Sequence, residues 1–166
     1  MLLDNIRKGN IKVLIELASI EDAKEILSLQ KIAYLSEAEI YNDYSIPPLT
    51  QTINQIETDF ENQLFLKVST GKRIIGSVRG QMESETCHIA RLIVHPDFRK
   101  QGIGTRLIEE IEVRFKQARR YELFTGHKSE NNLRLYKKLG YKPYKKQKVS
   151  DIVTLVFLEK MKDAGQ

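Results

Sequence analysis

The chain of 166 residues has one cysteine, no tryptophan, 4 prolines and 9 glycines. With Cys87 alone, neither a disulfide within the chain nor a thiolate zinc cluster can form, and a reducing compartment is the natural one. Apolar runs stop at four or five residues, far below the ~20 needed to span a bilayer. Met1-Leu2-Leu3-Asp4 lacks the cationic start and apolar stretch of a signal peptide. A soluble, cytoplasmic protein without a membrane partner is therefore expected. Repeats, low-complexity tracts and Pro/Gly-rich linkers are also missing, which leaves a single domain over residues 1–166. A chain of this length buries roughly 68–70% of its unfolded surface and needs no staple or metal to hold together.

The charge is unevenly placed. Between residues 16 and 61 there are ten acidic side chains against Lys24 and Lys31, whereas residues 116–148 hold eleven Lys/Arg against Glu122 and Glu130. The basic half suits a phosphate-bearing partner, either nucleic acid or a nucleotide cofactor, and a solvated face is the plainer alternative.

Local patterns predict the elements. Residues 11–17 are β-rich, and Ser19 with Asp22 three residues on reads as the start of a helix reaching about Leu35. Residues 36–49 carry Ile46-Pro47-Pro48 and read as a loop. Thr50 is expected to cap a second short helix ending at Phe60. A hairpin over residues 64–82, turning at Thr70-Gly71-Lys72, precedes a strand from Thr86 to Val94 that Pro96 ends. Ile103, Leu107, Ile108, Ile111 and Phe115 then make one apolar stripe of the clearest helix. A strand over residues 121–125, a short helix stopped by Gly140 and two closing strands complete the order β-α-α-β-β-β-α-β-α-β-β. The expected class is mixed α/β.

The segment Leu92-Ile93-Val94-His95-Pro96-Asp97-Phe98-Arg99-Lys100-Gln101-Gly102-Ile103-Gly104-Thr105 joins a strand to a helix through a glycine-bearing turn. The first amides of that helix and the positive end of its dipole point into the turn, and glycine lets the backbone approach a phosphate. Two nucleotide fingerprints fail: there is no third glycine for the dinucleotide pattern and no Gly-Lys-Ser/Thr for a P-loop.

Arg99-x-x-Gly102-x-Gly104, preceded by Leu-x-Val-His-Pro-Asp-Phe, resembles the pyrophosphate motif of the GCN5-related N-acetyltransferases, the GNAT superfamily. A second match runs from Ser129 to Tyr141 and resembles the family's Asn-x-x-x-Tyr-x-x-x-Gly-aromatic segment. The resemblance implies that acetyl-coenzyme A is the acetyl donor, lodged where two parallel strands, residues 86–94 and 121–125, splay apart. It implies main-chain bonds to the pantetheine arm from Leu92, Ile93 and Val94. The pyrophosphate would lie beside Arg99, on the amides of Lys100, Gln101, Gly102, Ile103, Gly104 and Thr105. Ser129, Asn132 and Tyr136 share one side of the short helix by their spacing, and that side should face the cofactor. The family often has Asn where this chain has Ser129, so Asn132 stands as the alternative donor.

The reaction so implied is direct acetyl transfer to a primary amine, which needs a neutral amine, a polarised carbonyl and a proton for the departing thiolate. Backbone N–H groups near Val94 would stabilise the oxyanion and Tyr136 would protonate the sulfur; by spacing alone Tyr136 is equally a packed aromatic. His88 is the expected base, since an imidazole titrates near ~6.5. Glu83, Glu85 and Glu122 are alternatives acting through water, and His88 is otherwise an ordinary sheet residue. Cys87 alternates to the other face of the strand, against a covalent acetyl-cysteine. Glu37, Glu39 and Asp43 beside Tyr34, Tyr41 and Tyr44 would draw a cationic acceptor, or else form a solvated acidic face. No metal and no nucleic acid are expected. The family's common arrangement is a homodimer. A non-catalytic acyl-coenzyme A sensor is the competing reading.

Overall fold

The computed structural model describes residues 3–6 and 11–163. Eight strands form one open sheet: β1 (Leu3–Ile6), β2 (Ile11–Leu17), β3 (Leu64–Thr70), β4 (Arg73–Glu83), β5 (Thr86–Val94), β6 (Arg120–Gly126), β7 (Lys142–Lys148) and β8 (Thr154–Met161). Their order across the sheet is β1-β2-β3-β4-β5-β6-β8-β7. Every neighbouring pair is antiparallel except β5 and β6, which are parallel. The expected mixed α/β order is present, with β1 added in front and two short helices, residues 35–41 and 47–50, added between the first two expected helices.

Among the described residues there are six helices: α1 (Ala23–Ala33), α2 (Leu35–Tyr41), α3 (Pro47–Thr50), α4 (Ile53–Asn62), α5 (Ile103–Arg114) and α6 (Glu130–Lys138). The region expected as a loop is therefore helical in two pieces. Pro47 and Pro48 do not break α3, because they occupy its first turn, where the amide that proline lacks has no intrahelical partner anyway. Tyr34 separates α1 from α2, and Asn42 ends α2 in the left-handed conformation. The cap of α4 is Thr52 and not Thr50: the Thr52 hydroxyl accepts from the Gln55 amide at 3.2 Å, and the Gln55 side chain accepts from the Thr52 amide at 2.9 Å.

The sheet has a core on each face. On one, the α5 stripe of Ile103, Leu107, Ile108 and Ile111 is buried to 2% exposure or less against Ile75, Val78, Cys87 and Ile89. Such burial contributes about 1.5–3 kcal/mol per side chain. Gly80 makes this approach possible, since a Cβ there would lie 2.7 Å from the Phe115 ring. On the other face α1 and α4 bury Ile26, Leu29 and Ile56 against Phe65, Ile74 and Ile93. Strand β7 is the lysine-bearing, fully exposed edge, and charge on an edge discourages pairing with a second chain.

Candidate active site

Strands β5 and β6 pair at three positions only, Thr86 with Arg120, Cys87 with Tyr121 and His88 with Glu122. Beyond His88 they part, although β5 stays bonded to β4 as far as Val94 and β6 to β8 as far as Gly126. A bulge in the β4–β5 ladder lies beside the opening: Arg79 faces Ala90 and Ser77 faces Ile93, so Arg91 and Leu92 share the place opposite Val78. Arg91 takes φ +52 to do so. His95 N–H donates to the Ile75 carbonyl at 2.8 Å. Counting back along the extended strand, Ile93 turns its polar groups to β4 while Leu92 and Val94 turn theirs to the gap. Unpaired backbone groups of this kind suit an extended ligand lying between the strands.

At the wide end the chain passes through a short helical turn, Pro96–Phe98, into the glycine segment. Lys100 (φ +62) and Gly102 (φ +84) both adopt the left-handed conformation, and Gly102 caps α5. The first amide of α5 to find a helical partner is that of Arg106, on the Gly102 carbonyl. Those of Ile103, Gly104 and Thr105 precede it and face the turn. Gly104 packs closely, a Cβ there meeting Leu135 at 3.4 Å and Leu92 at 3.6 Å. The Gln101 Oε1 is buried without a hydrogen-bond partner, a polar end that an incoming ligand can satisfy. Arg99 Nη2 donates to the Ala33 carbonyl at 2.8 Å, tying the end of α1 to the turn.

The three residues expected on one side of α6 have distinct surroundings. Ser129 is 2% exposed and its hydroxyl donates to the Glu37 carboxylate. The hydroxyl also lies 3.3 Å from that of Tyr41. Asn132 Nδ2 donates to Thr125 Oγ1 at 3.2 Å, joining α6 to the end of β6. Tyr136 is buried, with its ring 6.2 Å from that of Tyr141. Burial raises its pKa above the ordinary 10.0, and the charge-sensitive neighbours Tyr34 and Glu37 push the same way. The hydroxyl therefore keeps its proton throughout the neutral range.

His88 stands at the vertex, where the two strands last pair. Its Nε2 is 3.3 Å from Glu83 and its Nδ1 3.3 Å from Glu122. Burial alone would raise the Glu122 carboxyl, but hydrogen bonds from Tyr144 and Arg120 outweigh it and hold Glu122 below the usual carboxylate range. Glu122 is thus a lasting anion beside the imidazole. Cys87 lies fully buried under α5, and burial pushes its thiol up to about 12. It stays a thiol and is a poor nucleophile.

Of the six residues expected to form the acidic and aromatic wall, Tyr34 and Glu37 approach Tyr136. Tyr41 is a structural pin: its hydroxyl accepts from the Lys128 amide at 2.9 Å and fills the place where Gly126 has no side chain, 2.0 Å from a Cβ built there. Asp43 accepts from Ser45, and Glu39 and Tyr44 are exposed. The spacing Tyr34, Glu37, Tyr41 is that of one helical face, a signal that the proline-based loop assignment hid. Arg91 carried no sequence signal, because its position depends on the bulge. Among the described residues no group of three or more His, Cys, Asp or Glu side chains is arranged to hold a metal. Among the described residues, no helix is long and apolar enough to cross a membrane.

The profile of the acetyltransferase (GNAT) family matches residues 23–141. The UPF0157 protein YqkA of Bacillus subtilis is 29% identical over 119 residues, a match that covers 72% of this chain and only 34% of that protein. A GNAT-family acetyltransferase from Streptococcus pneumoniae superposes with a TM-score of 0.72 at 18% identity, covering 90% of this chain and 98% of the other. The PaiA N-acetyltransferase of Thermoplasma acidophilum, solved in complex with coenzyme A, superposes with a TM-score of 0.66 at 20% identity, covering 90% and 99%. With a splayed strand pair, a glycine-capped helix and a family match through both, this chain belongs to the GNAT acetyltransferase family.

Proposed function

We propose that the protein transfers the acetyl group of acetyl-coenzyme A to a primary amine, by direct attack within a ternary complex. Acetyl transfer is the family's chemistry; the amine acceptor and the route are our reading. The observation that carries it is the unpaired stretch of β5 and β6, which has the glycine turn at one end and His88 at the vertex. The residues fit the cosubstrate: Leu92 and Val94 offer backbone groups to the pantetheine arm, and residues 100–105 offer amides, with Lys100 adding charge, to the pyrophosphate. Acetyl-coenzyme A supplies a thioester, a carbonyl open to attack and a thiol as leaving group.

The chain's own groups account for the charges that change. His88 takes a proton from the ammonium, directly or through one water, and Glu83 and Glu122 orient the imidazole and favour the cation it becomes. Backbone N–H groups near Val94 face the carbonyl oxygen as negative charge develops there. Tyr136 gives its hydroxyl proton to the sulfur as the C–S bond breaks and the C–N bond forms. Neither a metal nor Cys87 enters.

A thiol-release assay with acetyl-coenzyme A over amines, amino acids, polyamines, aminoglycosides and peptides tests the reading. Turnover with an amine supports it; tight acetyl-coenzyme A binding without turnover supports the sensor reading instead. On a good substrate, kcat/KM is expected to rise with pH as the base deprotonates, and His88→Ala should remove that limb while leaving acetyl-coenzyme A affinity within about threefold. Should the limb persist in His88→Ala and vanish in Glu83→Gln or Glu122→Gln, a carboxylate is the base.

A further inference from the structure

The reaction as proposed leaves one half-buried cationic side chain of β5 unexplained. Arg91 sits in the bulge of β5 with φ +52, a conformation that costs a non-glycine residue energy and is commonly kept where function requires it. Its Nη1 is buried and has no hydrogen-bond partner. The other arginine on this face is fully engaged. Arg79 donates through Nη1 to Asp59 at 2.6 Å and through Nη2 to Gln30 at 2.8 Å, over the Phe65 ring at 4.5 Å. Asp59 and Gln30 are further bound by Gln51.

The charge of Arg91 acts on both Arg79 and Tyr34, and Tyr34 in turn acts on Tyr136. Glu37 acts on the Tyr34 phenol with the opposite sign. Tyr34 is thus within electrostatic reach of both a cation, Arg91, and an anion, Glu37. The Nη1 of Arg91 is one unpartnered end of a planar fork, and such a fork matches a carboxylate in two parallel bonds.

We propose that Arg91 binds a carboxylate of the acceptor, so that the acceptor is a small zwitterion of the free amino acid class, its amine toward Glu37 and Tyr136 and its carboxylate on Arg91. This inference rests on the amine-acetylation reading above. A site built to pair a charged group discriminates strongly against an analogue lacking it, because the site's own charge is then left unpaired.

The test compares each L-amino acid with its carboxamide in the thiol-release assay. For the best amino acid, kcat/KM should exceed that of the amide at least tenfold. In Arg91→Gln that ratio should fall at least tenfold, and Arg91→Lys, which keeps the charge and loses the fork, should retain part of it. Calorimetry should show acetyl-coenzyme A affinity within about threefold of wild type, and thermal melting should confirm that both variants fold. Equal use of acid and amide by the wild type overturns the proposal. So does an acid preference that survives in Arg91→Gln, turnover confined to amines without a carboxylate, or a loss of acetyl-coenzyme A affinity in the variant. Failure of the acetylation reading looks different, as no turnover with any amine. Calorimetric titration of the acid and amide pair then decides the Arg91 site alone: heat with the acid, abolished in Arg91→Gln, supports it, and no heat overturns it.

Discussion

Replacing Tyr136 with Phe is expected to lower kcat by roughly 10²-fold or more with little change in acetyl-coenzyme A affinity. The ring, the buried residue of α6 in the core beside Tyr141, is retained, so the fold loses no packing and no cavity opens. Only the hydroxyl goes, and with it the proton for the departing sulfur. A role confined to packing predicts an unchanged kcat. The pH dependence separates the two further. Because burial raises the Tyr136 pKa above 10.0, the phenol is protonated at every pH below that value, and the wild-type kcat should show no descending limb there from this group. Steady-state kinetics between pH 6 and about 10 checks both statements. If Tyr136→Phe matches wild type across this range, water or another group protonates the sulfur.

Gly102→Val should weaken acetyl-coenzyme A binding at least 100-fold in a protein that still folds. A Cβ at Gly102 meets nothing of the protein within 4 Å, so crowding inside the fold is not the cause. The cause is the backbone: φ is +84, where a β-branched residue is strongly disfavoured. Strain of about 1–3 kcal/mol is small against a stability of about 5–15 kcal/mol for a domain, and the surrounding turn is exposed. The chain relieves it by moving the turn, which turns the amides of residues 103–105 away from the phosphate. A hundredfold loss is about 2.7 kcal/mol, within what several charge-assisted bonds supply. Gly102→Ala should lose less. Calorimetric titration measures both variants, and a folded Gly102→Val with wild-type affinity would refute the assignment of this turn to the pyrophosphate.

Local chemistry made part of this protein legible from its residues alone. The stripe from Ile103 to Phe115, the turn at Gly71 and the run from Arg99 to Gly104 are each written within a dozen neighbouring positions, because helical period, hairpin geometry and left-handed glycine are short-range properties of the backbone. The family resemblance lies in the same short segments. The helix α2 was hidden because Pro47 and Pro48 read as breakers, and only the position of α3 shows that they start a helix. The gap itself depends on long-range pairing: it lies beside a bulge between Ser77 and Arg79 that shifts β4 against β5, while β6 is held in place by β8. The surroundings of the site are assembled the same way. Glu83 comes from the preceding strand of the hairpin and Glu122 from a strand reached through α5, and they meet at His88. Glu37 and Ser129 meet across 92 positions of sequence. Such contacts are set by strand register and by which buried polar groups must find partners, and these quantities exist only once the sheet has formed.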